Sequence, residues 1–246
     1  MLNEFSRTEM LFGKDGMDKL KNSRVALFGV GGVGGYAAEA LVRSGVGAID
    51  LIDGDTVSLT NINRQIIALH GTIGKYKAEV MKERILDINP NASVKAYNTF
   101  FLKETEDDFD FSGYSYIIDA VDNVSAKLAL VLKAKKANVP IISAMGAGNK
   151  FDPMRFKVSD INKTSMCPLA KIMRSELKKL GIEKLKVVYS DEEPIKPLIS
   201  EDVAEELKSS GKRQIPGSCA FVPSVMGLMI AREVIFDLTG MNNVKN

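Results

Sequence analysis

The densest run of chemistry-bearing residues lies between Gly29 and Lys77. Gly29-Val30-Gly31-Gly32-Val33-Gly34 is a GxGxxG segment. Glycines at Gly29, Gly31, Gly32 and Gly34 allow a backbone to approach a phosphate closely, and a helix opening there would aim N–H donors at it. Asp53 follows about 20 residues later, where an acid accepts hydrogen bonds from both hydroxyls of a ribose. Asp55, Asn61, Asn63, Arg64 and Gln65 share the next polar stretch; Lys77 and then Asp122-Asn123 come further on. Arg64 and Lys77 are fixed cations that can offset charge on β- and γ-phosphates. Asp122 suits Mg²⁺, which keeps several waters and takes one or two carboxylates. Together the set fits ATP with Mg²⁺. A nicotinamide dinucleotide would account for the glycines but not for the cations, and no hydride-transfer site is visible. Taken singly, each residue is also explained by a surface salt bridge.

The remaining reactive side chains are few. Cys219 precedes the last apolar stretch and has two readings, a thiol beside an activated acyl group or a small residue that packs like a hydrophobe. Cys167 precedes Pro168 and reads as a helix start. His70 is the one histidine, and a lone histidine reads as structural or exposed. With two cysteines and no CxxC, a four-cysteine or two-cysteine, two-histidine zinc site is excluded within one chain.

These groups need a scaffold. Arg24 to Gly29 reads as a buried strand, the glycines as its turn, and the residues to about Ser44 as an Ala-rich helix. Ala48 to Asp53 is a second strand. After a polar loop from Gly54 to Gly74, Lys75 to Ile88 has helical spacing and stops at Asn89-Pro90. Ser93–Tyr97, Tyr116–Val121 and Pro140–Ala144 read as strands, with a helix over Val124–Ala137. This alternation predicts an α/β fold, a Rossmann-like doubly wound, mostly parallel sheet. The second half is less regular. It reads as an antiparallel strand at Arg155–Val158, a helix over Cys167–Leu180, a strand at Leu185–Tyr189 and an amphipathic helix over Val225–Leu238. Ser190 to Gly217, with three prolines, reads as a long mobile loop with one helical stretch over Glu201–Lys208. The expectation is one domain over residues 1–246, with a nucleotide-binding core at about 20–147 and a substrate-side, partly antiparallel extension at 148–246.

The chain has 246 residues, 45% hydrophobic and 26% charged, with 33 basic against 31 acidic side chains. That is enough to bury a core without disulfides or metal. The balance leaves a nucleic-acid partner open, because a local patch suffices. Two lysine-rich clusters stand out: Lys178, Lys179, Lys184 and Lys186, which read as a solvated face, and Lys208, Lys212 and Arg213, in the loop before Cys219, which is the candidate patch. Phosphate contacts at such a patch would weaken with salt. The N-terminus lacks an apolar signal core, and the apolar run Ala220–Ala231 is too short to span a bilayer. A cytoplasmic protein without membrane insertion is expected.

GVGGVG, DGDTVSLTNINRQ (Asp53 to Gln65), GKYK (Gly74 to Lys77) and DAVDN (Asp119 to Asn123) resemble the ubiquitin-activating-enzyme-like, or ThiF/MoeB-like, adenylating superfamily over about Arg7 to Ala147. The resemblance implies adenylation of a carboxylate by ATP with release of pyrophosphate. It places Asp53 on ribose, Asn61, Arg64 and Lys77 at the triphosphate, Asp122 on Mg²⁺, and Gln65 on phosphate or supporting it. Arg7, in FSRTEM, is similar to an N-terminal arginine that reaches the opposite subunit's ATP, which implies a homodimer. RFKVSDINKTSMCPLAK, KVVYSDEEP and PGSCAFVPSVMG look like the tRNA threonylcarbamoyladenosine dehydratase subfamily. That implies ATP-driven cyclisation of the threonylcarbamoyl side chain on tRNA, with sulfur-transfer proteins as further candidate partners. An activator of a small sulfur-carrier protein is the alternative, weakened by the missing CxxC pairs. A nucleotide-binding sensor or scaffold without turnover is a third.

Overall fold

The computed structural model describes residues 2–200, 205 and 216–241. Seven strands form one sheet: β1 Arg24–Phe28, β2 Ala48–Ile52, β3 Ser93–Tyr97, β4 Tyr116–Asp119, β5 Ile141–Ala144, β6 Phe156–Asp160 and β7 Lys186–Ser190. Their order is β3-β2-β1-β4-β5-β7-β6. All neighbours run parallel except the edge pair β6–β7. The chain winds outward from β1 through β2 to β3, then returns to place β4 on the other side of β1. The connections leaving β1 and β4 therefore diverge, and a crevice opens at their carboxyl ends, where open α/β sheets bind ligands.

Alternation along β1 shows how the sheet is covered. Val25 and Leu27 join one core with α2 (Gly34–Arg43) and α3 (Lys77–Ile88). Ala26 and Phe28 join the other with α4 (Val124–Lys136) and α5 (Pro168–Lys179). Both faces are apolar because the parallel strands are buried on both sides. Cys167 and Pro168 open α5 as expected, with Cys167 buried. His70 is exposed.

Four expectations change. The helix expected from Lys75 starts at Lys77, because Thr56 bridges Tyr76 and the Lys77 N–H donates to the Asp55 carbonyl at 3.0 Å, which keeps 75–76 extended. The last helix, α6 (Phe221–Thr239), is not amphipathic. Val222, Met226, Gly227, Ile230, Ala231 and Val234 are buried on several sides, and it packs between α2, the N-terminal helix and the sheet. That N-terminal helix, α1 (Ser6–Lys21), was not expected at all; it kinks at Gly13 and buries Leu20 while leaving Met10 and Leu11 exposed. In the first lysine cluster, Lys186 is engaged with Asp237 at 2.6 Å and Glu233 at 3.4 Å, and Lys179 with Glu176. The second cluster, Lys208, Lys212 and Arg213, and most of the helical stretch expected over 201–208 lie outside the described residues. No helix among the described residues is long and apolar enough to cross a membrane.

Gly227 sets how closely α6 meets the glycine turn. A Cβ there would lie 2.3 Å from the Val33 carbonyl oxygen and 3.0 Å from Tyr36 Cβ. Gly227→Val is therefore expected to push α6 away from α2 and destabilise the fold by about 1–3 kcal/mol. A thermal melt unchanged from the parent would show that the two helices separate at no cost.

Candidate active site

The crevice at the ends of β1, β2 and β4 holds a cavity of about 630 Å³. Its floor is the turn after β1. Gly29 has φ 93°, and a Cβ there would lie 2.6 Å from the Ala120 carbonyl oxygen. Only glycine lets the β1 and β4 ends come this close. Gly31 and Gly32 face the cavity. Gly34 does not; it is pressed 1.8 Å (as Cβ to oxygen) against the Gly29 carbonyl, so it serves close packing of α2 on β1.

Asp53 fixes this turn from the next strand. Its Oδ2 accepts from Val30 N at 2.6 Å and its Oδ1 from Asp55 N at 2.8 Å. Burial raises its pKa, against the lowering pull of Lys77 and of the two N–H donors. Lys77 is itself buried, its ammonium 2.8 Å from Asp55 Oδ2. Asn61 is buried with its Oδ1 on Ser58 N at 3.1 Å, bracing the turn that presents Arg64. Arg64 donates to the Thr60 carbonyl and to Asn63 Oδ1, at 2.8 and 2.9 Å. Among the described residues no carboxylate pairs with it, and burial lowers its pKa without discharging a guanidinium. Gln65 Oε1 is buried and has no hydrogen-bond partner among the described residues. The cavity thus holds an unmatched cation and an unmatched acceptor.

Asp122 stands on the opposite wall, exposed and without a side-chain partner among the described residues. Asn123, beside it, caps α4 by accepting from Ala126 N at 3.0 Å and does not line the cavity. No group of three or more His, Cys, Asp or Glu side chains among the described residues could hold a metal. One open carboxylate facing a cavity that suits phosphates still fits Mg²⁺, which takes its other ligands from phosphate and water.

Two more candidate site residues, like Gly34 and Asn123, are absent from the lining of this chain's cavity. Arg7 is exposed on α1 and does not line this chain's cavity. Cys219 is half-buried and packs against the core; its neighbour Ser218 faces the cavity instead.

The model of the ThiF family matches residues 5–246. The chain belongs to the ThiF family. Among relatives, a Bacillus subtilis protein named tRNA threonylcarbamoyladenosine dehydratase is 49% identical over 97% of this chain and 95% of its own length. An Escherichia coli molybdopterin-synthase adenylyltransferase is 35% identical but matches only 54% of this chain and 53% of its own. The crystal structure of the E. coli tRNA N6-threonylcarbamoyladenosine dehydratase in complex with ATP superposes with a TM-score of 0.86 at 34% identity, covering 97% of this chain and 95% of that one. The similarity to the dehydratases thus spans nearly the whole chain, and that to the molybdopterin enzyme about half of it.

Other cavity residues carried no sequence signal. Phe100 rests its ring on Gly54, where a Cβ would come within 2.8 Å, and gives the cavity an aromatic wall beyond Asp53. It follows a short strand and reads as an ordinary apolar residue. The segment 216–218 is held by side chains from two distant loops: Asn63 Nδ2 donates to the Ser218 carbonyl at 3.0 Å, and Asn149 Oδ1 accepts from Gly217 N at 2.7 Å. Such contacts have no pattern along the chain.

Asp53→Asn keeps the shape but offers one acceptor to two backbone donors. Hydrogen bonds to a charged group contribute about 1.5–3 kcal/mol, so calorimetry should find ATP bound about ten- to a hundredfold more weakly. Unchanged affinity in a normally melting variant would remove Asp53 from the site.

Proposed function

We propose that this chain is an ATP-dependent tRNA threonylcarbamoyladenosine dehydratase, acting over its whole length as one adenylating domain. One observation carries the reading. Arg64 is a half-buried cation without a carboxylate partner among the described residues, in a cavity where Lys77 is already paired. What such a site lacks is an anion, and its depth and glycine floor suit a triphosphate. The dehydratase names of relatives that match nearly the whole chain support the choice of substrate.

A carboxylate is a poor acyl electrophile because oxide is a poor leaving group. In the proposed first step, an oxygen of the threonyl carboxylate attacks the α-phosphorus of ATP. The bond from that phosphorus to the bridging oxygen breaks, and pyrophosphate leaves. Asp53 orients the ribose, the N–H groups of the glycine turn hold phosphate oxygens, and Arg64 and Lys77 balance the charge that builds on the leaving pyrophosphate. Mg²⁺, when bound at Asp122, would supply further charge neutralisation at the phosphates. Asp55, Asn61 and Gln65 hold these groups in register. In the second step the substrate's carbamoyl group attacks the acyl-adenylate, AMP leaves and a carbamoyl proton is lost. The net loss is one water, taken up in converting ATP to AMP and pyrophosphate. Intramolecular attack reaches effective molarities of about 10⁵–10⁸ M, so no covalent enzyme intermediate is needed. The half-buried placement of Cys219 agrees with a supporting role.

The reading includes a cytoplasmic homodimer in which Arg7 completes the partner's site, with sulfur-transfer proteins as further partners. Leu2, Met10 and Leu11 present apolar surface on and beside the helix that carries Arg7, and a second copy would cover it.

With wild-type protein and modified tRNA, nucleoside digests should contain a product lighter by one water, formed only with ATP. Lys77→Ala or Asp122→Ala should lose about two orders of magnitude or more in rate, as when one charge-stabilising contact is removed. Cys219→Ser should slow turnover without stopping it. Unchanged tRNA, together with adenylation of a carrier protein's terminal glycine, would overturn the reading.

The dimer has its own test. Mixing Arg7→Ala chains with Lys77→Ala chains should restore activity, because each mixed dimer contains one site with both residues intact. Absence of rescue in mixed dimers verified by mass would place Arg7 outside the partner's site.

A further inference from the structure

Directly beneath the cavity wall lies an ion pair that the mechanism leaves without a task. Asp119, the last residue of β4, and Lys127, one turn into α4, are each fully buried. The Lys127 ammonium sits 3.0 and 3.1 Å from the two oxygens of Asp119 and donates a third bond, 2.7 Å, to the carbonyl of Ala144 at the end of β5. All three ammonium protons are thereby used. Burying an opposite pair brings little net stability, and apolar side chains of similar volume often do as well. The pair is better explained by what it holds in place.

It holds the arm Ala120-Val121-Asp122, all of which lines the cavity. At one end, Ala120 N donates to the Phe28 carbonyl at 2.8 Å, and Val121 N to Asp119 Oδ1 at 3.3 Å. At the other, Asn123 caps α4, and the Lys127 N–H donates to the Asn123 carbonyl at 3.0 Å. The Asp122 side chain has no tether of its own among the described residues, so its position follows from the backbone. The third bond of Lys127 ties this arm to β5, whose continuation Ala147-Gly148 lines the same cavity.

We propose that Asp119 and Lys127 are positioning residues that hold the Asp122 carboxylate where it meets nucleotide-bound Mg²⁺. This rests on the assignment of Asp122 made above. The pair does not touch the nucleotide; it acts through the arm. Charge-assisted bonds are about twice as strong as neutral ones, which is why an ion pair rather than an amide pair suits a tether made at a single point.

The test uses the full-length protein with ATP and Mg²⁺. Asp119→Asn/Lys127→Gln loses the charges but keeps hydrogen-bonding ends, Gln being one atom shorter than Lys; Asp119→Leu/Lys127→Met keeps the length at 127 and removes the hydrogen bonds as well. ATP affinity is measured by calorimetry without metal and across a Mg²⁺ titration, and AMP formation with modified tRNA is followed alongside. Metal-free ATP affinity should stay within about threefold of the parent. The Mg²⁺ concentration that half-saturates the gain in ATP affinity should rise about five- to tenfold in the neutral pair, the size of one charge-assisted bond replaced by a neutral one. The apolar pair should show a larger rise, with kcat falling and KM for tRNA unchanged. In an Asp122→Asn background neither double substitution should move the Mg²⁺ titration further. A folded neutral pair with the parent's Mg²⁺ requirement, or effects that add to those of Asp122→Asn, would overturn the proposal, and the neutral pair decides if the apolar pair does not fold. Failure of the dehydratase reading shows differently: the parent would bind ATP and respond to Mg²⁺ in calorimetry while leaving tRNA unchanged.

Discussion

The cavity depends first on how one buried carboxylate is held. Asp53 directly follows β2, with both oxygens engaged by backbone N–H groups, one from the glycine turn after β1 and one from its own loop. An ionised group is costly to bury unless it is hydrogen-bonded. These two bonds offset part of that cost and at the same time fix the relative positions of two loops that share no regular structure. From Asp53 the order passes to Asp55, through Asp55 to the buried Lys77, and through Lys77 to the start of α3. Losing the carboxylate would therefore release the floor and one wall of the cavity together. The sign of its pH dependence is instructive. Burial sets the folded pKa above the ordinary value, so the ionised form carries a stability cost above that pKa, and the cost fades as pH falls through it. Protonation would remove that desolvation cost but weaken the acceptors that the two backbone N–H groups use.

Charges around the cavity fall into two kinds. Lys77 with Asp55 and, below the wall, Lys127 with Asp119 are matched within the chain. Arg64 and Asp122 are not matched among the described residues, and they carry opposite signs. Under the proposed function, a highly charged anion carrying a divalent cation would satisfy both at once, with Arg64 on the anion and Asp122 on the metal. The pair below the wall is fully buried and keeps the frame rigid; the unmatched groups, and Lys77 at the cavity surface, are available to a ligand. The same division explains why Gly34 and Asn123 belong to the sequence motifs yet not to the cavity surface. They shape the backbone on which Gly31, Gly32 and Asp122 are displayed.

Most of the strand and helix pattern was legible because periodicity and punctuation agree. β3 and the start of α5 fall where turn residues and apolar spacing put them, and Asn89-Pro90 stops α3. The glycine turn, Asp53, Arg64 and Lys77 were legible because a phosphate site needs particular residue types at near-fixed offsets. Helix α1 was not, since its two glycines and exposed Met10 and Leu11 blur any amphipathic period. Helix α6 read as amphipathic because Arg232, Glu233 and Asp237 interrupt its apolar run. In the fold Glu233 is buried against Lys186 while its neighbour Arg232 is exposed, its guanidinium 4.0 Å over the Phe236 ring, so charge alone did not mark the solvent face.

The substrate side of the cavity shows most clearly where local sequence stops being informative. Its edge is the segment 216–218, seated on Asn63 from the loop after β2 and on Asn149 from the loop after β5. Asn149 adopts φ 58°, a left-handed conformation that asparagine tolerates better than most side chains. A Cβ on the preceding Gly148 would come within 2.7 Å of Pro216. Three stretches far apart in the chain thus meet through backbone groups and two amides, a juxtaposition that only the completed sheet brings about. The seat also explains the position of Cys219. Once Gly217 and Ser218 are pinned across the cavity mouth, the next residue must turn toward α6, and its side chain packs on the core. In the proposed reaction the carbamoyl group carried by the substrate serves as the nucleophile, an intramolecular attack that needs no enzyme thiol.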